Sequence, residues 1–187
     1  MAEGKALRLN SKHHTYLSKR FDRTADGQRL HFASAMTLLQ HIDDDDYTSG
    51  ASYFGMVDFI LRHGARPNID LEELWRRIVF SICVKNTDDH LRNHGFILTT
   101  KGWVLSPAYD VNPNPEGDGL RLNISENDNS PDIELAMSVI KHFRLEKTRA
   151  QMILTKVNES VSSWKKLAEE YQVSGYEQNM MARSFLS

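Results

Sequence analysis

The sequence predicts a helix-rich α+β fold in one domain. Strand-like alternation is confined to the first thirty residues and to residues 94–111. A helical pattern opens near Asp70 and runs into "IVFSICV", which is apolar on nearly every side. From residue 130 onward the pattern is helical again. Small β elements joined to a mostly helical body define the α+β class.

The 187 residues suffice for one domain with a real core. With 40% hydrophobic and 26% charged residues, the composition is that of an ordinary globular protein, not a disordered chain. The net charge of −2 speaks against a general nucleic-acid binder, whose footprint is strongly basic. No apolar run approaches the roughly 18 residues of a membrane span. "MAEGKALRLN" has no apolar signal region. The single cysteine, Cys83, lies in an apolar run, which fits a buried thiol in a reducing, cytoplasmic setting.

"KALRL" and "HTYLSKRF" read as two short strands joined by the polar "NSKHH". Asp26-Gly27 is a strong turn dipeptide. "SAMTLLQHI" is a short helix that Ser34 can cap. The acidic run "DDDDYTSG", residues 43–50, is expected to be a solvated loop, because hard-cation sites need spaced oxygens converging on one point. "SYFGMVDFILRHG" is a helix ending at Gly64. Asp70, with Glu73 three residues on, is expected to cap the next helix, whose apolar second half marks it as central. "HGFILTT", the turn "TKG" and "WVLSPAYDV" form a predicted β-hairpin. Three helical segments follow, "SPDIELAMSVIKHF", "LEKTRAQMILTKVNESVSSWKKLAEEYQV" and "YEQNMMARSFL".

The chemistry concentrates in "KNTDDHLRNHGFIL", Lys85 to Leu98. One reading is a plain polar loop after a buried helix. Another is a metal hydrolase, since His90 and His94 stand at i, i+4. Gly95 and the alternation after it imply that His94 already opens a strand, and no third ligand is obvious. The third reading rests on spacing. Asp88 and Asn93 are five residues apart, as in the D-x-x-x-x-N loop of protein kinases, and Asp110 follows the hairpin. Phosphoryl transfer needs a carboxylate to orient the attacking hydroxyl. It also needs an amide oxygen and a second carboxylate for Mg²⁺.

"KRFDR", "NTDDHLRNHGFIL" and "LSPAYDVNP" together resemble the signatures of the HipA-like serine/threonine kinases, the toxins of bacterial toxin–antitoxin systems. The downstream "LRLNISENDNSPDIELAMSVIKHFRL" is also similar to their C-terminal helical region. The resemblance runs from about residue 13 to the C-terminus and implies a protein-kinase-like C-terminal lobe spanning 1–187. Residues 1–30 would be the hinge hairpin, and residues 31–187 the helical body with the catalytic hairpin. It implies Asp88 as catalytic base and Asn93 and Asp110 as Mg²⁺ ligands. The backbone of Lys19 and Phe21 would meet the adenine of ATP, and Asp22 its ribose. Asp89 is expected to be exposed, His90 a structural hydrogen-bonder, and Arg92 either a γ-phosphate contact or a surface ion pair. Pro107 and Tyr109 would shape the loop that presents Asp110.

The resemblance also implies a glycine-rich phosphate loop and a strand lysine ahead of the hinge. Only about a dozen residues precede "HTYLSKRF", and no G-x-G-x-x-G or G-x-x-x-x-G-K-[ST] pattern occurs. The expectation is therefore a large lobe with the last hairpin of the small one. It would be half of a split kinase, a truncated product or fragment, or a lone lobe kept as an interaction module. The partners implied are a protein substrate and an antitoxin-like DNA-binding protein or separate small-lobe polypeptide, with no membrane and no direct nucleic-acid contact.

Overall fold

The computed structural model describes residues 1–10 and 14–185. Strands β1 (Gly4–Arg8) and β2 (His14–Ser18) pair antiparallel, with Lys5 opposite Leu17 and Leu7 opposite Thr15. Most of the turn expected between them lies outside the described residues. The Asp26-Gly27 turn forms, closed by the Gly27 amide donating to the Thr24 carbonyl at 3.0 Å.

A second sheet has the order β3–β4–β5, from Phe32–Ser34, Gly95–Thr99 and Gly102–Leu105, all antiparallel. The hairpin β4–β5 was legible in the sequence; the short β3 was not. Gly95 is needed by close approach: a Cβ there would fall 2.2 Å from the Phe32 ring and 3.2 Å from the Tyr109 hydroxyl. This contact brings Tyr109, and with it Asp110, against the sheet.

Helix α1 (Ala35–Leu38) is capped by Ser34, whose hydroxyl accepts from the Thr37 amide. The acidic stretch is a loop with one 3₁₀ turn, Tyr47–Ser49, capped by Asp46. Helix α2 (Tyr53–His63) leads to α3 (Pro67–Cys83) at the centre of the molecule. Leu71, Leu74, Trp75, Ile78, Val79, Ile82 and Cys83 of α3 are all buried. The buried Cys83 agrees with the sequence reading, and burial raises its thiol pKa. Asp70 is not the cap. Arg66 holds that position, and Pro67 occupies the first turn, where its fixed φ is preorganised. Asp70 instead sits buried inside the helix, accepts the Leu105 amide at 3.1 Å and pairs with Arg66 at 3.0 Å. It thus anchors the end of β5 to α3.

Helices α4 (Ile133–Ser138) and α5 (Lys147–Ser162) pack against α3. The long second of the three C-terminal helical segments breaks at Ser163 into α5 and α6 (Trp164–Glu170), and α7 (Gly175–Met181) follows with a capping box from Ser174 to Glu177. Among the described residues no helix is long and apolar enough to cross a membrane.

Candidate active site

The site forms where α3 ends. Lys85, at φ 51°, turns the chain out of the helix, and residues 86–94 run to β4 through a 3₁₀ turn, Leu91–Asn93. The loop after β5 returns alongside, with Asp110 at φ 52°. Aspartate tolerates this left-handed backbone better than most residues.

The three predicted residues meet through the backbone carbonyls of Asp88 and Asp110. Asn93 is buried, and its side-chain amide donates to the carbonyls of Asp88 at 3.2 Å and Asp110 at 3.4 Å. With the amide nitrogen so used, its Oδ1 has no hydrogen-bond partner among the described residues. The carboxylates of Asp88 and Asp110 are exposed; Asp110 accepts from Asn112 at 2.9 Å. An amide oxygen and a carboxylate are donor types that suit a hard cation keeping waters and phosphate oxygens as its other ligands.

The segment after Asp110 folds back over the loop. Asn114 donates its amide N–H to the Lys85 carbonyl at 3.0 Å and its side chain to the Thr87 hydroxyl at 2.8 Å. Lys85 reaches the Pro115 carbonyl at 3.3 Å. Tyr109 donates to the Arg92 carbonyl at 2.6 Å and packs against Phe21, with ring centroids 5.5 Å apart. Burial pushes the Tyr109 phenol up to about 12, so it stays a donor. Through this contact Phe21 stands beside the Asp110 loop. Lys19 is exposed; its amide is already bonded to Glu3 at 2.8 Å, and its ammonium pairs with Glu3 at 2.8 Å. The Asp22 carboxylate is held by Arg20 at 2.7 and 2.5 Å and by Arg23 at 2.7 Å. A ribose hydroxyl would share this carboxylate with two guanidinium groups.

Asp89 departs from expectation. It is only 4% exposed, because Tyr53 donates to its Oδ2 at 2.5 Å and His94 Nε2 lies 3.0 Å from its Oδ1. Burial pushes the Asp89 carboxyl up, but the nearby His94 imidazole and the hydroxyls of Tyr53 and Ser81 outweigh it and hold the pKa below the usual range. His94 is therefore turned inward, whereas His90 faces the Arg92 guanidinium at 3.3 Å. The two imidazoles share no ligand position, and the described residues contain no group of three or more His, Cys, Asp or Glu able to hold a metal. Arg92 forms an ion pair with Asp43 of the acidic loop. The sequence did carry a signal for the buried pair: Asp89 and His94 repeat the five-residue step of Asp88 and Asn93 one position on.

A hairpin, a buried helix leading to an Asp…Asn loop, and a β-hairpin delivering a second Asp define a lobe of protein-kinase-like fold. The chain belongs to the HipA-like C-terminal domain family, whose model matches residues 1–164. It is 31% identical over 119 residues to a Haemophilus influenzae protein named "Putative kinase", covering 57% of this chain and 34% of that protein. It is 35% identical over 95 residues to a Sinorhizobium fredii protein of the same description, covering 50% of this chain and 22% of the relative. The chain thus spans about a third or less of the length of these relatives. In fold it is similar to HipA of Shewanella oneidensis, solved with HipB and operator DNA. The TM-score is 0.76 at 16% identity, over 98% of this chain and 49% of that one. At this identity the likeness is one of fold.

Proposed function

We propose that this chain is the catalytic lobe of a HipA-like serine/threonine protein kinase, moving the γ-phosphoryl group of Mg-ATP to a protein hydroxyl. The supporting observation is the Asn93 side chain, which ties Asp88 and Asp110 into one site. The substrate hydroxyl oxygen bonds to the γ-phosphorus as the bond from phosphorus to the β,γ-bridging oxygen breaks. ADP leaves, and the hydroxyl proton passes to the Asp88 carboxylate. Asp88 is exposed, so an incoming protein can reach it. Asn93 Oδ1 and the Asp110 carboxylate would hold Mg²⁺, which neutralises phosphate charge when bound. Phe21 offers an aromatic edge for the adenine side of the site, near Tyr109. The backbone of Lys19 and Phe21 and the carboxylate of Asp22 are the proposed nucleotide contacts.

The other wall of the nucleotide site, with its phosphate loop and lysine, would come from a small lobe, either in further chain or in a separate polypeptide. Catalysis of this kind is mostly positioning and charge stabilisation, so transfer depends on that wall being present. An antitoxin-like DNA-binding protein is the proposed partner, on the analogy of HipA and HipB. The alternative is a non-catalytic interaction module in such a system. Transfer of labelled phosphate from ATP, by wild type and by Asp88→Asn, each with the small lobe supplied in a longer chain or as a separate polypeptide, separates the two. Signal lost in Asp88→Asn supports the kinase; equal signal in both overturns it.

A further inference from the structure

The loop that carries Asp88 and Asn93 has a second, buried face. Asp89 and His94 are 4% and 2% exposed. Three groups converge on the Asp89 carboxylate: the Tyr53 hydroxyl at 2.5 Å, the Ser81 hydroxyl at 3.3 Å and His94 Nε2 at 3.0 Å. The Tyr53 ring stands edge-on to the His94 imidazole, with centroids 5.8 Å apart and planes at 87°. The His94 carbonyl accepts the Ala35 amide at 2.8 Å. Helices α1, α2 and α3 therefore all grip this one pair.

Leu91 packs the loop into the core, but the side that carries the pair borders open space. An open cleft of about 290 Å³ borders Asp89, Asn93 and His94, with Phe80 and Val157 on its helical walls. Side chains that line an open cleft lack packing partners on its open side. The loop's position on that side thus depends on the polar contacts of Asp89 with Tyr53, Ser81 and His94. A buried ion pair is a poor source of net stability, because desolvation offsets its attraction. What such a contact does supply is a single geometry, since the buried Asp89 carboxylate must meet its partners to avoid being left unpaired.

We propose that the buried Asp89–His94 pair, held by Tyr53, is the positioning element of the catalytic loop: it sets the spacing of Asp88 and Asn93 and so the affinity for a metal–nucleotide. This rests on the Mg-ATP reading above. None of the three residues touches the metal or the substrate; they act through their neighbours in the chain.

Tyr53→Phe removes one hydroxyl and Asp89→Asn one charge, each with little change of shape. The test is Mn²⁺ binding in the presence of ATP, read by water-proton relaxation on the full chain, with thermal unfolding in parallel. Wild type is expected to bind and Asp110→Asn to lose binding; this arm tests the metal reading alone. Tyr53→Phe and Asp89→Asn are expected to weaken Mn²⁺ binding by about tenfold or more while still folded, as residues behind metal ligands do. A purely structural role would lower the unfolding temperature and leave the affinity of the folded protein unchanged. Unchanged affinity in both variants, beside a defective Asp110→Asn, overturns the positioning role and spares the metal reading. No binding by wild type, or equal binding by Asp110→Asn, overturns both. If Asp89→Asn does not fold, Tyr53→Phe decides.

Discussion

Asn93 links Asp88 to Asp110: its one side-chain amide nitrogen donates to the first carbonyl at 3.2 Å and the second at 3.4 Å. The residue proposed to bind metal through its oxygen is thus also the tie between the two segments that carry the carboxylates. Asn93→Asp separates these roles. A carboxylate keeps an oxygen for the metal but cannot donate, and it sets a charge against two carbonyls. The expected result is a loss of about 2–4 kcal/mol in urea unfolding, since the substitution sets a buried charge against carbonyl oxygens.

Asp88→Asn should behave in the opposite way. Asp88 is exposed, and its carboxylate supports no described hydrogen bond, so unfolding free energy should stay within about 0.5 kcal/mol of wild type. Phosphoryl transfer should fall by about 10²–10⁴-fold, the usual contribution of a positioned base. Steady-state rates and denaturation curves on the same preparation check both halves.

Gly117 lies against the catalytic loop. A Cβ there would stand 1.9 Å from Thr87 Oγ1 and 2.7 Å from Thr87 Cβ. Thr87 is short, β-branched and held by Asn114, so it has little freedom to move aside. Gly117→Ala should cost about 1–3 kcal/mol by overpacking. In a Thr87→Ala background the cost should shrink, and a double-mutant cycle by thermal unfolding measures that coupling.

Asp22 gives a pH signature. The hydrogen bond from Arg20 lowers its carboxyl from 3.8 to about 2 in the folded chain, with Arg20 and Arg23 adding charge. A depressed folded value means that the stabilisation is present above pH ~4 and is lost as pH falls through about 2. The carboxyl carbon resonance of Asp22 should titrate near that value, and Arg20→Gln should move the midpoint upward. A wild-type midpoint near 4 would show that the arginine cluster does not form.

The fold class and the candidate chemical groups were legible because they are local. The strands alternate, Ser34 precedes its helix, and Asp88, Asn93 and Asp110 lie in recognisable spacing. What stayed hidden depends on distant partners. Asp70 looks like a cap but is claimed by Leu105, thirty-five residues away. Asp89 sits in a run of polar residues, and its burial is made tolerable partly by Tyr53, thirty-six residues earlier. Strand β3 has three residues and exists because β4 offers an edge. The break at Ser163 leaves no proline or glycine to mark it.

The central claim is that Asn93 and Asp110 hold a metal–nucleotide beside Asp88. Calorimetric titration of ATP into the chain, with Mg²⁺ and with excess chelator, tests it most directly. The account expects Mg²⁺-dependent heat in wild type that Asp110→Asn abolishes. Heats that are the same with and without Mg²⁺, or the same in Asp110→Asn as in wild type, would contradict it.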